Sequence, residues 1–309
     1  METKKFIQEK VKEIKETVGD KKALVALSGG VDSSTTTVLA HQALGKRLIP
    51  VFIDDGLMRA GEARRVKDIF KKLGIKVRIV IARREFFNVT ATDPEVKRRK
   101  FRRTFYRMLG KLARRYKAKF LLQGTILTDI EETKRGVKTQ HNVLEQMGIK
   151  PKRFGLPPVV IEPLKDLRKD EVREVAKELG LPAEIYDRMP FPGPGFSTRV
   201  LGKLTPQRVN IVRKANNIVE EELAQFKPFQ AFAVLLSDRA TGMKKGKRVY
   251  GNIIIIRSVE STDARTATPS QIPWEVLQKI QQRICTEVRS VSRVLYDLTP
   301  KEPATIEYI

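Results

Sequence analysis

The stretch ALVALSGGVDSS, residues 23–34, decides how this chain is read. Its apolar half is too short for a core helix and reads as a buried strand, which runs through two glycines into a helix. Gly29 and Gly30 let the backbone turn tightly and approach a ligand, while Ser28, Ser33 and Ser34 offer hydroxyls. The helix beginning near Val31 and Asp32 points unpaired N–H groups and its positive dipole end at whatever the loop holds, so phosphate is the natural guest. The lysine of the Walker A pattern GxxxxGK[ST] is missing, and an acid, Asp32, stands inside the loop instead. A carboxylate beside phosphates repels them unless a divalent cation lies between, which makes Asp32 a candidate Mg²⁺ ligand. The plainer alternative is a glycine-rich turn with Asp32 as a helix cap, which leaves the hydroxyl cluster unexplained.

Outward from this stretch the same alternation continues. LIPVFID (48–54), VRIVIA (77–82) and FLLQG (120–124) read as further buried parallel strands, with helical patterns after Gly61 and across 94–117. Residues 3–18 form an amphipathic opening helix. Strand and helix in alternation predict an α/β fold, a doubly wound parallel sheet whose ligands bind outside the carboxyl ends of the strands. EETKRGVKTQHN (131–142) suits a mobile loop, VVIEP (159–163) a further strand, and RKDEVREVAKELGLP a helix stopped by Gly180 and Pro182. The expected domains are 1–187 and 188–309. The second opens with the shaped loop RMPFPGPGFSTRV and continues as helix, strand, strand, helix, strand, a smaller α+β domain with an antiparallel sheet.

The chain has 309 residues, with Lys+Arg 61 against Asp+Glu 36, a formal charge of +25. Such a chain must meet anions, although nucleic acid, nucleotides and acidic proteins all satisfy that condition. The densest basic run lies in the helix across 97–119, which reads equally as a solvated face or a nucleic-acid groove. The single cysteine, Cys285, cannot form an internal disulfide and fits a reducing compartment. No apolar run approaches a membrane span or a signal peptide, so a cytoplasmic location is expected, with no membrane partner.

SGGVDSS resembles the pyrophosphate-binding loop of the N-type ATP pyrophosphatases, a family with an adenine nucleotide alpha hydrolase-like fold that cleaves ATP between its α and β phosphates. That family makes GMP, NAD, asparagine and argininosuccinate and modifies tRNA, and the loop alone does not choose among these activities. GTILTDIEET (124–133), KTQHN (138–142), PFPGPG (190–195) with Arg199, QAFAVLL (230–236), SRVLYDLTPKEPATIE (292–307) and VFIDDGLMR (51–59) together resemble the synthetase part of the GMP synthetase family, in order and at comparable positions. The resemblance begins almost at the first strand and includes no N-terminal glutaminase domain, so a separate glutaminase subunit is expected as partner.

The resemblance implies a C–N bond-forming ligase acting in two steps. The 2-oxygen of xanthosine monophosphate attacks the α phosphorus of ATP with Mg²⁺, and ammonia then displaces AMP at C2 to give GMP. Ser28, Gly29, Gly30, Val31, Asp32, Ser33 and Ser34 would hold phosphates and metal. Ile53, Asp54 and Gly56 would meet adenosine, and Gly124, Thr125 and Asp129 would end a strand on the same rim, although Asp54 and Asp129 also suit plain turn chemistry. Lys138 resembles the family's mobile catalytic lysine, Glu132 is a candidate base, and Gln140 stands where relatives place the first of two histidines, which leaves His141 a structural reading. Arg199, Gln230, Lys301, Thr305, Ile306 and Glu307 would take the purine monophosphate, Arg199 and Lys301 suiting its 5′-phosphate. The family also implies a homodimer through the small domain. The competing readings are an RNA-modifying ATP pyrophosphatase, which lacks a catalytic thiol pair, and a nonenzymatic nucleic-acid binder; under the favoured one nucleic acid is not expected.

Overall fold

The computed structural model describes residues 2–88, 92–134, 151–262 and 264–308. They form two compact units, one built from residues up to 55 with 61–82 and 102–188, the other from 56–60, 83–101 and 189 onward.

The first unit carries a parallel sheet of β1 (Lys22–Ala26), β2 (Leu48–Asp54), β3 (Arg78–Ile81), β4 (Ala118–Leu122) and β5 (Val159–Ile161), in the order β3-β2-β1-β4-β5. Among the described residues, the α-helices up to Tyr186 are α1 (Thr3–Val18), α2 (Val31–Leu44), α3 (Glu62–Lys72), α4 (Arg83–Phe87), α5 (Pro94–Tyr116), α6 (Leu127–Lys134), α7 (Lys169–Glu178) and α8 (Ala183–Tyr186). Of these, α4 and the N-terminal end of α5 group with the second unit. Ala23, Leu24 and Val25 of β1 are wholly buried, because the strand has a neighbour on each edge and α1, α2 and α7 pack together over the sheet. Burial on this scale is worth roughly 1.5–3 kcal/mol for each large aliphatic side chain. The chain builds outward from β1 to β3 and then crosses back to β4 on the other side of β1. The strand order therefore reverses between β1 and β4, the kind of position at which open α/β sheets bind their ligands.

Helix α6 takes in residues 131–134, the start of the segment expected to be loop. Its entry is fixed by Asp129, whose Oδ2 accepts the Ile126 N–H at 3.2 Å, a local cap that the polar composition conceals.

The second unit is built on the hairpin of β6 (Gln230–Lys244) and β7 (Lys247–Glu260), turned by Lys245 (φ 49°) and Gly246 (φ 72°). Two positive φ angles in a two-residue turn match the twist of the strands they join. β8 (Thr268–Pro269) pairs antiparallel with β7, whereas β9 (Val291–Tyr296) pairs with it in parallel, so the sheet is mixed rather than purely antiparallel. The reason is α10 (Trp274–Glu287), a crossover that returns the chain in the direction it left. α9 (Pro206–Leu223) packs on β6 and α10, and starts where Thr205 Oγ1 accepts the Arg208 N–H and Pro206 occupies the first turn. Phe232, Val234 and Ile255 form an apolar cluster of the hairpin.

Candidate active site

In the first unit the loop after β1 is a small hydroxyl and amide cradle. Ser33 Oγ accepts the Ser28 N–H at 3.1 Å, lies 2.9 Å from Ser28 Oγ and donates to the Gly30 carbonyl at 3.1 Å, while Gly30 N–H donates to Ser28 Oγ at 3.3 Å. Gly30 is the N-cap of α2 with no side-chain cap bond, so Asp32 lies in the first turn and does not cap the helix itself. Ser28 and Gly30 are exposed and Asp32 and Ser33 half-buried, whereas Gly29, Val31 and Ser34 are buried. The Ser34 and Thr36 hydroxyls have no partner among the described residues, while Thr35 and Thr37 bond back to the carbonyls of Val31 and Ser33 at 2.7 Å.

Two glycines make this packing possible. A Cβ on Gly124, just beyond β4, would come within 2.8 Å of the Asp32 carbonyl carbon and the Ser33 nitrogen, so the strand end and the first turn of α2 meet backbone to backbone. Gly29, at φ 86°, lies against α3, where a Cβ would meet Val66 at 2.7 Å and Glu62 Oε1 at 3.1 Å. Thr125 beside Gly124 is wholly buried and donates to Glu162 Oε1 at 2.6 Å. Ile53 and Asp54 close β2 in the same unit. Gly56 falls in the other unit, where its carbonyl accepts from Arg213 at 2.5 Å and a Cβ would strike the Phe87 ring.

Two features of this unit escape a reading of the sequence. Lys169, the first residue of α7, places its ammonium 2.8 and 2.6 Å from the two carboxylate oxygens of Asp32. A lysine at a helix start opposes the dipole, and that mismatch is the one available signal. Glu62, 5% exposed, accepts Arg188 at 2.6 Å and Arg65 at 3.0 Å on Oε1, while its Oε2 is buried without a partner among the described residues. The arginines lie 126 and 3 residues away in sequence, and no spacing pattern connects the first of them to the loop.

In the second unit the structure brings Arg199, Gln230 and Glu307 into one cluster. Arg199 is wholly buried, donating from Nε and Nη2 to Glu307 at 3.1 and 2.8 Å and from Nη1 to Asn216 at 3.0 Å. Its guanidinium stacks 4.1 Å from the Phe232 ring centroid, close enough for a cation–π contact. Gln230 Nε2 donates to Glu307 Oε1 at 2.6 Å, and Thr198 Oγ1 lies 3.4 Å from Oε2. The fork of Arg199 is thus directed at Glu307. Lys301 donates from its ammonium to the Ala264 carbonyl at 2.8 Å, Thr305 Oγ1 bonds the Glu307 carbonyl, and Ile306 packs with Val259 and Ala267. Cys285, on α10, lies 3.4 Å from Gln281 Nε2, and it belongs to no cluster of three or more potential metal ligands among the described residues.

Lys138, Gln140 and His141 lie outside the described residues. Glu132 is carried by α6.

Residues 1–193 match the family model for NAD synthase, and residues 216–308 match that for the GMP synthase C terminal domain. Archaeal proteins named as one subunit of GMP synthase [glutamine-hydrolyzing] are similar along the full chain. The one from Archaeoglobus fulgidus is 52% identical with 100% of both chains covered, that of Thermococcus kodakarensis 53% with 98% of each covered, and that of Methanopyrus kandleri 50% with 99% of this chain and 98% of the relative covered.

Proposed function

The chain belongs to the family of the GMP synthase subunit that those archaeal relatives represent, a ligase, and we propose on that premise that it adenylates xanthosine monophosphate with ATP and then aminates it to GMP. The names of its relatives favour this reading over an RNA-modifying one. The observation that carries the site assignment is the loop at the sheet's reversal point, with Asp32 already facing a cation.

The donor set fits MgATP. Exposed Ser28 and Gly30 with half-buried Ser33 line a helix N-terminus, and one carboxylate with neighbouring hydroxyl and phosphate oxygens is the hard-oxygen set that Mg²⁺ takes. Mg²⁺, when bound, would neutralise charge on the phosphates; Asp32 would hold it. Lys169, freed from Asp32, would then lie within reach of the same phosphates as a point charge. Gly29 and Gly124 leave room for backbone N–H groups to approach, and Glu62 holds Arg188 and Arg65 beside the loop. No side chain need act as a nucleophile, because the 2-oxygen of the nucleotide attacks the α phosphorus. The protein's part is in-line positioning and charge balance. Ile53 and Asp54 would border adenosine, with Thr125 and Asp129 serving the backbone around it, and Lys138 would close over the phosphates.

Xanthosine monophosphate would be held by the C-terminal segment, with Lys301 as the cation for its 5′-phosphate, Glu307 as an acceptor for the nucleotide, and Arg199 and Gln230 fixing Glu307. Thr305 and Ile306 supply backbone between them. The relatives are each named as a subunit of an enzyme, which speaks for a separate partner subunit. We assign that partner the supply of ammonia from glutamine, and assign the small domain a homodimer contact. The reading includes a cytoplasmic location; among the described residues no helix is long and apolar enough to cross a membrane.

Purified chain supplied with MgATP, xanthosine monophosphate and ammonium should form AMP, pyrophosphate and GMP, with glutamine inactive until a glutaminase is added. Pyrophosphate release that does not depend on xanthosine monophosphate would overturn the reading.

A further inference from the structure

Arg257 lies in β7 at the end of the run IIIIR, a charge where a buried strand should carry none, and it is wholly buried. Its guanidinium is directed at a single stretch of chain. Nε donates to the Ile306 carbonyl at 2.9 Å and Nη2 to the Thr305 carbonyl at 2.8 Å. Nη1 donates to Asp297 Oδ2 at 2.7 Å and to the Thr299 carbonyl at 3.0 Å. Asp297 in turn accepts the Tyr308 hydroxyl at 2.7 Å and the Thr299 N–H at 2.9 Å. Burial alone would raise the Asp297 carboxyl, but these hydrogen bonds and the Arg257 charge outweigh it and hold it below the usual carboxylate value.

We propose that Arg257 is a positioning residue for the purine monophosphate: it holds the chain on both sides of Lys301 and up to Glu307, so that these two groups are set before the nucleotide arrives. The inference rests on the reading of that segment as the nucleotide site. An arginine serving only the sheet would bond its own strands. This one bonds three carbonyls and one carboxylate of the residues after β9, and leaves the strand pairing to the backbone. Only a planar fork with donors on all three nitrogens can serve four acceptors spread over about ten residues; a lysine ammonium has three donors from one point. The bonds lie within one chain, so the segment is held on the unit that carries it. Arg199 does the complementary work on the Glu307 carboxylate itself, and the two buried guanidiniums together fix both the path and the end of the segment.

The experiment compares wild type, Arg257→Met, Arg257→Lys and the milder Asp297→Asn in steady-state amination with ammonium, varying xanthosine monophosphate and ATP separately. Amide hydrogen exchange across 299–308 is followed in parallel. Arg257→Met should raise KM for xanthosine monophosphate at least about tenfold, with KM for ATP within about twofold of wild type. Amides of 299–308 should exchange faster while those of α2 do not. Arg257→Lys should fall between Met and wild type, and Asp297→Asn should raise the same KM by about two- to fivefold. An unchanged nucleotide KM in Arg257→Met, or equal losses for both substrates, overturns the inference alone. If Arg257→Met does not fold, Asp297→Asn is judged by the same split, and an unchanged nucleotide KM there overturns it too. Wild type that shows no turnover with xanthosine monophosphate overturns the functional reading and this inference with it.

Discussion

The loop after β1 and the C-terminal segment both gather charged and polar groups, yet they are held in opposite ways. In the loop, hydroxyls bond one another and nearby amides, and Asp32 is paired with Lys169, whose side chain is 42% exposed. Around the segment, the anchoring Arg199 and Arg257 have no exposure, and their partners Glu307 and Asp297 have little. A half-exposed ion pair is weak and easily exchanged, whereas a buried hydrogen-bonded pair is costly to break. Under the proposed function, the first arrangement would suit a site whose partners change during turnover, as phosphates arrive and pyrophosphate leaves. The second would suit a frame that presents one nucleotide in one pose.

The largest effect should come from removing the exchangeable carboxylate. Asp32→Ala is expected to lower GMP formation by about a thousandfold, read as AMP release, with binding of xanthosine monophosphate in calorimetry unchanged. A variant that retained most of its turnover would remove Asp32 from the reaction.

Breaking the frame should look different. Glu307→Gln leaves the buried Arg199 without its counter-charge, and should lower unfolding free energy by on the order of 3 kcal/mol in denaturant titration as well as raise KM for the nucleotide. Loss of nucleotide affinity with unchanged stability would show that the pair is not part of a rigid frame.

Backbone proximity at the loop gives a third test. Gly124→Ala forces a Cβ to within 2.8 Å of α2's first turn, and should cost about 1–3 kcal/mol of stability while raising KM for ATP and sparing that for xanthosine monophosphate. Equal KM values for ATP in variant and wild type would mean that the turn tolerates the shift.

The smallest effect concerns pH. Lys97 donates to the Val200 carbonyl at 2.7 Å, and burial, helped by the nearby Arg208, lowers its pKa from 10.5 to about 8. The unfolded chain therefore binds more protons than the folded one between these values, and this group makes stability rise as pH increases from about 8 to 10.5. Lys97→Met should show a shallower rise than wild type over that window in denaturant midpoints. Parallel curves would remove the contribution.

Much of the fold is legible in the sequence itself. LIPVFID matches β2, Leu48–Asp54, and residues 3–18 match α1, because buried strands and amphipathic helices write their periods directly into local composition. β6 extends to Lys244, well past QAFAVLL, since its outer half is an exposed hairpin arm with no apolar signature. The parallel placement of β9 is not legible either, because strand direction is set by α10 and not by the strand's own residues. Among the candidate groups, the loop residues can be named from one contiguous stretch, whereas Lys169, Glu62 and Arg257 each bond partners 137, 126 and up to 49 residues distant. Pairings of that length leave no periodic trace in a single sequence. Arg257 leaves only the oddity of a charge after four isoleucines.

If Asp32 takes Mg²⁺ as proposed, its pairing with Lys169 bears on how the ion would be acquired. Any divalent ion that takes Asp32 competes with a cation tethered to the same chain, so its apparent affinity is the intrinsic one scaled by the fraction of molecules in which the pair is open. Free Mg²⁺ would face that penalty in full. A metal that arrives with a triphosphate gives the displaced ammonium new anionic partners, which offsets the lost ion pair. A tethered lysine can thus act as a gatekeeper for ion loading, tilting the protein towards the metal–nucleotide complex and away from the bare ion.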